Sequence, residues 1–176
     1  MDDNGTYLVA RCLQRAGQWD LAARHAPEGS VLRAEVLTDR HLWRLDPVGE
    51  ACAAIRAIAA QHPDRAAFLT AQLEYWRRLA GQAGDPIGPD PVDTFQSLTG
   101  SRALTGWATF WHAVALDNLN GDASAAGPGY AQARDLAVAA GDGLLESYAV
   151  RHLAGQALDA GEPERAVPLA RRSLHL

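Results

Sequence analysis

The sequence predicts an all-α protein built as a solenoid of helical hairpins, and three observations predict it. A motif recurs forty residues apart: Gly121-Asp122-Ala123-Ser124-Ala125-Ala126-Gly127-Pro128 and Gly161-Glu162-Pro163-Glu164-Arg165-Ala166-Val167-Pro168 share a glycine, an acidic residue, an alanine and a proline at the same offsets. Gly17-Gln18-Trp19-Asp20-Leu21-Ala22 repeats its glycine-to-alanine part, and Pro63-Asp64-Arg65-Ala66 echoes Pro163-Glu164-Arg165-Ala166. Between these punctuation marks, apolar residues return every three or four positions, the spacing of one helix face. Alanine is abundant and β-branched residues are sparse, which favours helix and lets helices approach closely. Units of this length, built from paired helices, bury their apolar faces only against neighbouring units.

Taken in order, Thr6 to Ala16 predicts a first helix with Val9, Cys12, Leu13 and Ala16 on one face, closed by Gly17. A short helix from about Trp19 to His25 ends before Pro27 and Gly29. Ser30 is an N-cap for a helix reaching Leu45, with Ala34, Leu37, His41, Leu42 and Leu45 on one face and Val36 and Trp43 on another, as suits a helix sandwiched between neighbours. Asp46-Pro47 is a cap followed by proline in the first turn, opening a helix with Val48, Ala51, Cys52, Ile55 and Ala59 at helical spacing. His62-Pro63 opens the next, which carries Phe68, Ala71, Leu73, Tyr75, Trp76 and Leu79 and stops at Gly81.

The pattern vanishes from 82 to 103, where Asp85-Pro86-Ile87-Gly88-Pro89-Asp90-Pro91 is too rich in proline for helix. This segment divides N-terminal helical hairpins, 1–81, from C-terminal units, 104–176, as a linker or as a loop packed back through Phe95 and Leu98. From Leu104 a helix carrying Trp107, Phe110, Trp111 and Val114 runs to Asn120-Gly121, Asp122 opens another to Ala140, and Gly141-Asp142 turns the chain into a helix carrying Leu145, Tyr148, His152, Leu153 and Leu158. The last helix starts at Pro163, giving about nine in all. Pro128 and Pro168 fall past the first turn of their helices and should bend them.

Composition narrows the function. The 176 residues are 48% hydrophobic and 21% charged, a folded rather than a disordered balance. Every one of the sixteen basic residues is arginine, scattered around a net charge of -5, so no basic stripe exists to neutralise a phosphate backbone. Direct nucleic-acid binding is not expected. The acidic start Met1-Asp2-Asp3-Asn4-Gly5 lacks the pattern of a signal peptide, no run is long enough to span a membrane, and the expected location is cytoplasmic. Cys12 and Cys52, with no Cys-x-x-Cys, are expected as small core residues. No phosphate loop, Gly-x-Ser-x-Gly, His-Glu-x-x-His or catalytic Cys-His signature occurs, so no cofactor or metal is expected and no motif supports an enzymatic activity. His112 and His152, forty residues apart, are expected to pack between helices, and Glu146 and Asp117 to be solvated charges.

The C-terminal residues resemble the tetratricopeptide repeat, a helix-turn-helix unit of about 34 residues that stacks into a right-handed solenoid. Val150, Leu153, Ala154 and Ala157 fall at packing positions of the repeat's first helix, and Ala166, Ala170 and Ser173 at those of its second. Phe110, Ala126, Tyr130 and Ala133 match in the preceding unit, while Val114 and Asp117 depart from it. The resemblance covers about 104 to 176 well and 6 to 26 weakly. It implies a concave groove lined by first helices, here Ala108, Trp111, Ala115 and Asn118 with Tyr148, Arg151, Gly155 and Leu158. Trp and Tyr would supply area and Arg151 a bidentate grip on a carboxylate.

The function so implied is a scaffold module that holds a peptide or partner helix. A small-ligand sensor is the alternative, and a helical-repeat enzyme of secondary metabolism a more distant one. Val167, Leu174 and Leu176 form an apolar end to the stack, predicting that either a homodimer through the C-terminal helix or a following segment covers it.

Overall fold

The structure is a computed structural model that describes residues 3–176; the first two residues of the acidic start lie outside them. The described residues form ten α-helices and no strand, one helix more than the periodicity predicts. They fall into two compact units, one ending at Pro89 and the other running from Asp90 to Leu176.

In the first unit, α1 (Asp3–Arg15), α2 (Trp19–His25), α3 (Val31–Arg44), α4 (Gly49–Ile58) and α5 (Pro63–Leu79) gather around α3, which packs on each of the other four. Its start is fixed as the sequence predicts, with Ser30 Oγ accepting from the Arg33 N–H at 3.1 Å. Leu45 ends it in the left-handed region at φ 56°, an uncommon conformation for a branched side chain. Because α3 is surrounded, it buries Leu32, Ala34, Val36, Leu37 and Leu42, and also the polar Glu35, Thr38 and His41. Trp43 is 61% exposed, so only part of the second apolar face is covered. The cysteines are not core residues: Cys12 is exposed, because α1 is covered only on the side that meets α2 and α3, and Cys52 is half-buried on α4.

Polar contacts tie this unit together. Arg11 reaches Glu35 at 2.5 Å, Arg65 approaches the same carboxylate at 3.4 Å, and Gln14 Nε2 donates to Asp39 at 2.6 Å. Burial, reinforced by the Glu35 charge, raises the Asp39 carboxyl to about 6. Fully buried Glu74 accepts from Arg77, Arg78 and the Ile87 N–H, which pins the proline-rich chain after α5 to that helix.

The second unit holds α6 (Pro91–Leu98), α7 (Thr105–Asn120), α8 (Ala123–Ala140), α9 (Gly143–Asp159) and α10 (Pro163–His175). The segment expected to be irregular contains α6, opened by Asp90 accepting from the Val92 N–H at 2.9 Å with Pro91 in the first turn. Phe95 and Leu98 do pack back, onto α7. Each later helix packs on the next, and α7 also meets α9.

The glycine-acid turns work as their residue types require. Gly121, Gly141 and Gly161 take φ of 68°, 68° and 74°, and Asp122 and Asp142 cap the helices that follow by accepting from Ala125 and Leu145. Helices α8 and α10 run continuously through Pro128 and Pro168. Gly129 lets α8 close on α7: a Cβ there would lie 2.8 Å from that of Ala113. Ala166, from the repeated motif, is 2% exposed.

Candidate functional site

The second unit is organised around aromatic rings from α7, α8 and α9. Phe110 meets Tyr130 at 5.9 Å, Tyr148 at 5.9 Å and His152 at 5.1 Å, while Trp107 packs on Tyr148 at 6.0 Å. Such pairs contribute about 0.5–1.5 kcal/mol each beyond their buried area. Tyr130 is fully buried and satisfies its hydroxyl by donating to Asp117 at 3.0 Å. Trp107 Nε1 donates to Asp142 at 2.9 Å, linking α7 to the cap of α9.

Beside this cluster lies a cleft of about 280 Å³, lined by Asp117 of α7 and by Arg151, His152, Gly155, Gln156 and Asp159 of α9. The 3.6-residue period sets Arg151, Gly155 and Asp159 one above another along a single face of α9. The Arg151 guanidinium lies over the Tyr148 ring, 4.9 Å from its centroid, and is exposed. That stacking fixes its direction without neutralising its charge.

His152 stacks against Tyr130 at 4.8 Å, and its Nδ1 lies 2.9 Å from the Tyr148 carbonyl. A carbonyl only accepts, so Nδ1 carries the proton and Nε2 keeps its lone pair. Burial, more than any neighbouring charge, lowers the His152 pKa and keeps the ring neutral. Gln156 donates to the Ala123 carbonyl at 3.1 Å, which leaves its side-chain oxygen as an acceptor. The cleft thus offers one guanidinium and two carboxylates.

Gly155 stands apart from the other glycines in these helices. A Cβ at Gly106 would lie 2.8 Å from buried Leu145, so close packing explains it, as it explains Gly129; one at Gly127 would lie 3.1 Å from the amide end of Gln156, and Gly143 is the first residue of α9. Around the Cβ position of Gly155 there is nothing within 4 Å. Glycine in a helix interior costs about 1 kcal/mol relative to alanine, and at Gly155 no neighbouring atom requires it.

The expected groove residues separate into three groups. Arg151 and Gly155 line the cleft. Asn118 is exposed on α7, and Leu158 is exposed on α9. Ala108 and Ala115 are fully buried and offer a ligand no surface, while Trp111 and Tyr148 are half-buried among rings, Trp111 stacking on Phe95 of α6 at 5.8 Å. Sequence reasoning did not assign Asp117, Gln156 or Asp159 to a site; the signal was present for Asp159, which follows Arg151 by two helical turns. His152 packs between helices as expected. Glu146 is buried and accepts from Arg172 of α10 at 2.9 Å, so it is neither solvated nor part of the cleft.

A wider hollow of about 620 Å³ lies on α8, α9 and α10, but the arginines on its rim are engaged, Arg134 by Asp135 and Arg165 by Glu162. Of the arginines that line the two, Arg151 of the smaller cleft alone forms no ion pair among the described residues. Among the described residues, no group of three His, Cys, Asp or Glu is placed to hold a metal ion, and no helix is long and apolar enough to cross a membrane.

Comparison with models of protein families, with curated proteins and with solved structures returns no match for this chain.

Proposed function

We propose that the second unit is a pair of tetratricopeptide-like helical hairpins, α7 with α8 and α9 with α10, whose cleft grips a segment of a partner protein. Sequential packing, the α7–α9 contact and the glycine-acid turns support the repeat architecture. In this arrangement α6 covers α7 as the second helix of a preceding unit would. The observation that carries the binding reading is Gly155: a helix-interior glycine with open space in front of it gives up intrinsic helix stability, and close approach of another chain to the α9 backbone is what such a position allows.

The open shape of the cleft also favours a side chain of a longer segment. Pockets for drug-sized ligands span about 300–1,000 Å³ and enclose most of the ligand. At about 280 Å³, open along α9, this one suits a single anchoring side chain of a longer segment.

Affinity capture from a native lysate, with wild-type protein and Gly155→Leu side by side, tests the proposal. A protein retained by the wild type and lost by the variant is the expected result. Equal capture by the two, or no specific capture by either, contradicts it.

A further inference from the structure

The charges around Gly155 are arranged along a line, and that order specifies what a bound segment presents. Arg151 and Asp159 are both exposed, and neither forms an ion pair among the described residues. Eight residues of helix separate them, about 12 Å along the axis at 1.5 Å per residue. Gly155 lies midway between them, with nothing within 4 Å of its Cβ position. Asp117 faces the same cleft from α7, with one carboxylate oxygen engaged by Tyr130.

Resting on the partner-binding reading, we propose that the bound segment carries an acidic and a basic side chain about 12 Å apart, the acid on Arg151 and the base between Asp117 and Asp159, with a small residue between them over Gly155. Arg151 is already oriented by Tyr148, so a carboxylate meets a guanidinium with little further ordering to undergo. The acceptors at the other end are the complement of a guanidinium or ammonium group. An extended chain spans this distance in about four residues at roughly 3.3 Å each, so acid and base stand four positions apart. Phosphate-bearing ligands are disfavoured by the two carboxylates, and an uncharged segment would leave Arg151 without a partner.

The test uses an acetylated and amidated pentapeptide, Glu-Gly-Ala-Gly-Arg, with two companions in which Gln replaces its Glu or norleucine its Arg. Binding is followed through the backbone amides of Arg151, Gly155 and Asp159 by heteronuclear NMR of the full chain. The charged peptide is expected to shift these amides saturably, and each neutral companion to bind about two- to five-fold more weakly, the effect of one partly solvated ion pair. Arg151→Gln should make the protein indifferent to the loss of the peptide's acid, and Asp159→Asn reduce its sensitivity to loss of the base. Equal binding of all three peptides overturns the charge inference and leaves the cleft reading standing. No shift at Gly155 with any of them also overturns it, while capture by Gly155→Leu judges the cleft separately.

Discussion

Replacing Glu74 by glutamine perturbs the first unit at a point where the magnitude follows from geometry. The carboxylate is fully buried and accepts four hydrogen bonds, two from Arg77 at 2.8 and 2.7 Å, one from Arg78 at 2.9 Å and one from the Ile87 N–H at 2.9 Å. The Arg77 hydrogen bonds lead in holding its pKa down at about 2, against an ordinary 4.5. That difference corresponds to about 3 kcal/mol at neutral pH. Both arginines are partly solvated, which screens the interaction and brings the expected loss to on the order of 2 kcal/mol.

A carboxylate with a depressed pKa stabilises the fold fully above its unfolded value of 4.5 and loses that contribution as pH falls through about 2. Wild type and Glu74→Gln should therefore differ by on the order of 2 kcal/mol at pH 7 and converge near pH 2, where the protonated acid and the amide are nearly isosteric. Urea unfolding read through hydrogen exchange keeps the amides of the first unit apart from those of the second. The Ile87 amide should lose protection first. A difference that persists at pH 2, or one below about 0.5 kcal/mol at pH 7, would refute the reasoning.

Other substitutions carry their own signs. Asp39 titrates at about 6, pushed up by burial, so its ionised form costs stability as pH rises from 3.8 through 6; Asp39→Asn, still able to accept from Gln14, should stabilise the first unit by on the order of 1–3 kcal/mol at pH 7 and by nothing below pH 4, as denaturant midpoints at the two pH values would show. Gly129→Ala should cost about 1–3 kcal/mol despite its better helix propensity, because its Cβ meets Ala113, and adding Ala113→Gly should recover part of the loss in the same unfolding assay. His152 should titrate below 6.5 in an NMR pH series, with the second unit losing stability as pH falls from 6.5 through that midpoint; a midpoint at or above 6.5 contradicts the burial argument.

The features legible in the sequence were those fixed by local chemistry. Gly121, Gly141 and Gly161 had to take positive φ to reverse the chain, Asp122, Asp142 and Ser30 had to cap, and Pro63 and Pro163 had to open helices, so most boundaries could be read from residue type alone. Helix α6 was missed because two turns are too short to show a period; Asp90-Pro91 does there what was expected of Asp46-Pro47, which lies ahead of α4 without capping it, that helix starting at Gly49 with no side-chain cap. Periodicity also tells which residues share a face and not whether a neighbour covers it. Cys12 and Trp43 therefore proved exposed, while Ala108 and Ala115 proved buried. The cleft was half legible: Arg151 and Gly155 follow from a face of α9, whereas Asp117 joins them only because α7 packs alongside.

The most direct test of the account is the affinity of a captured partner for Gly155→Leu, measured by calorimetry together with the unfolding midpoint of the variant. Open space at the Cβ position and the helix propensity of leucine predict a midpoint equal to or above that of the wild type, while the new side chain fills the cleft and lowers affinity by at least about ten-fold. Unchanged affinity in a protein that remains folded would contradict the account.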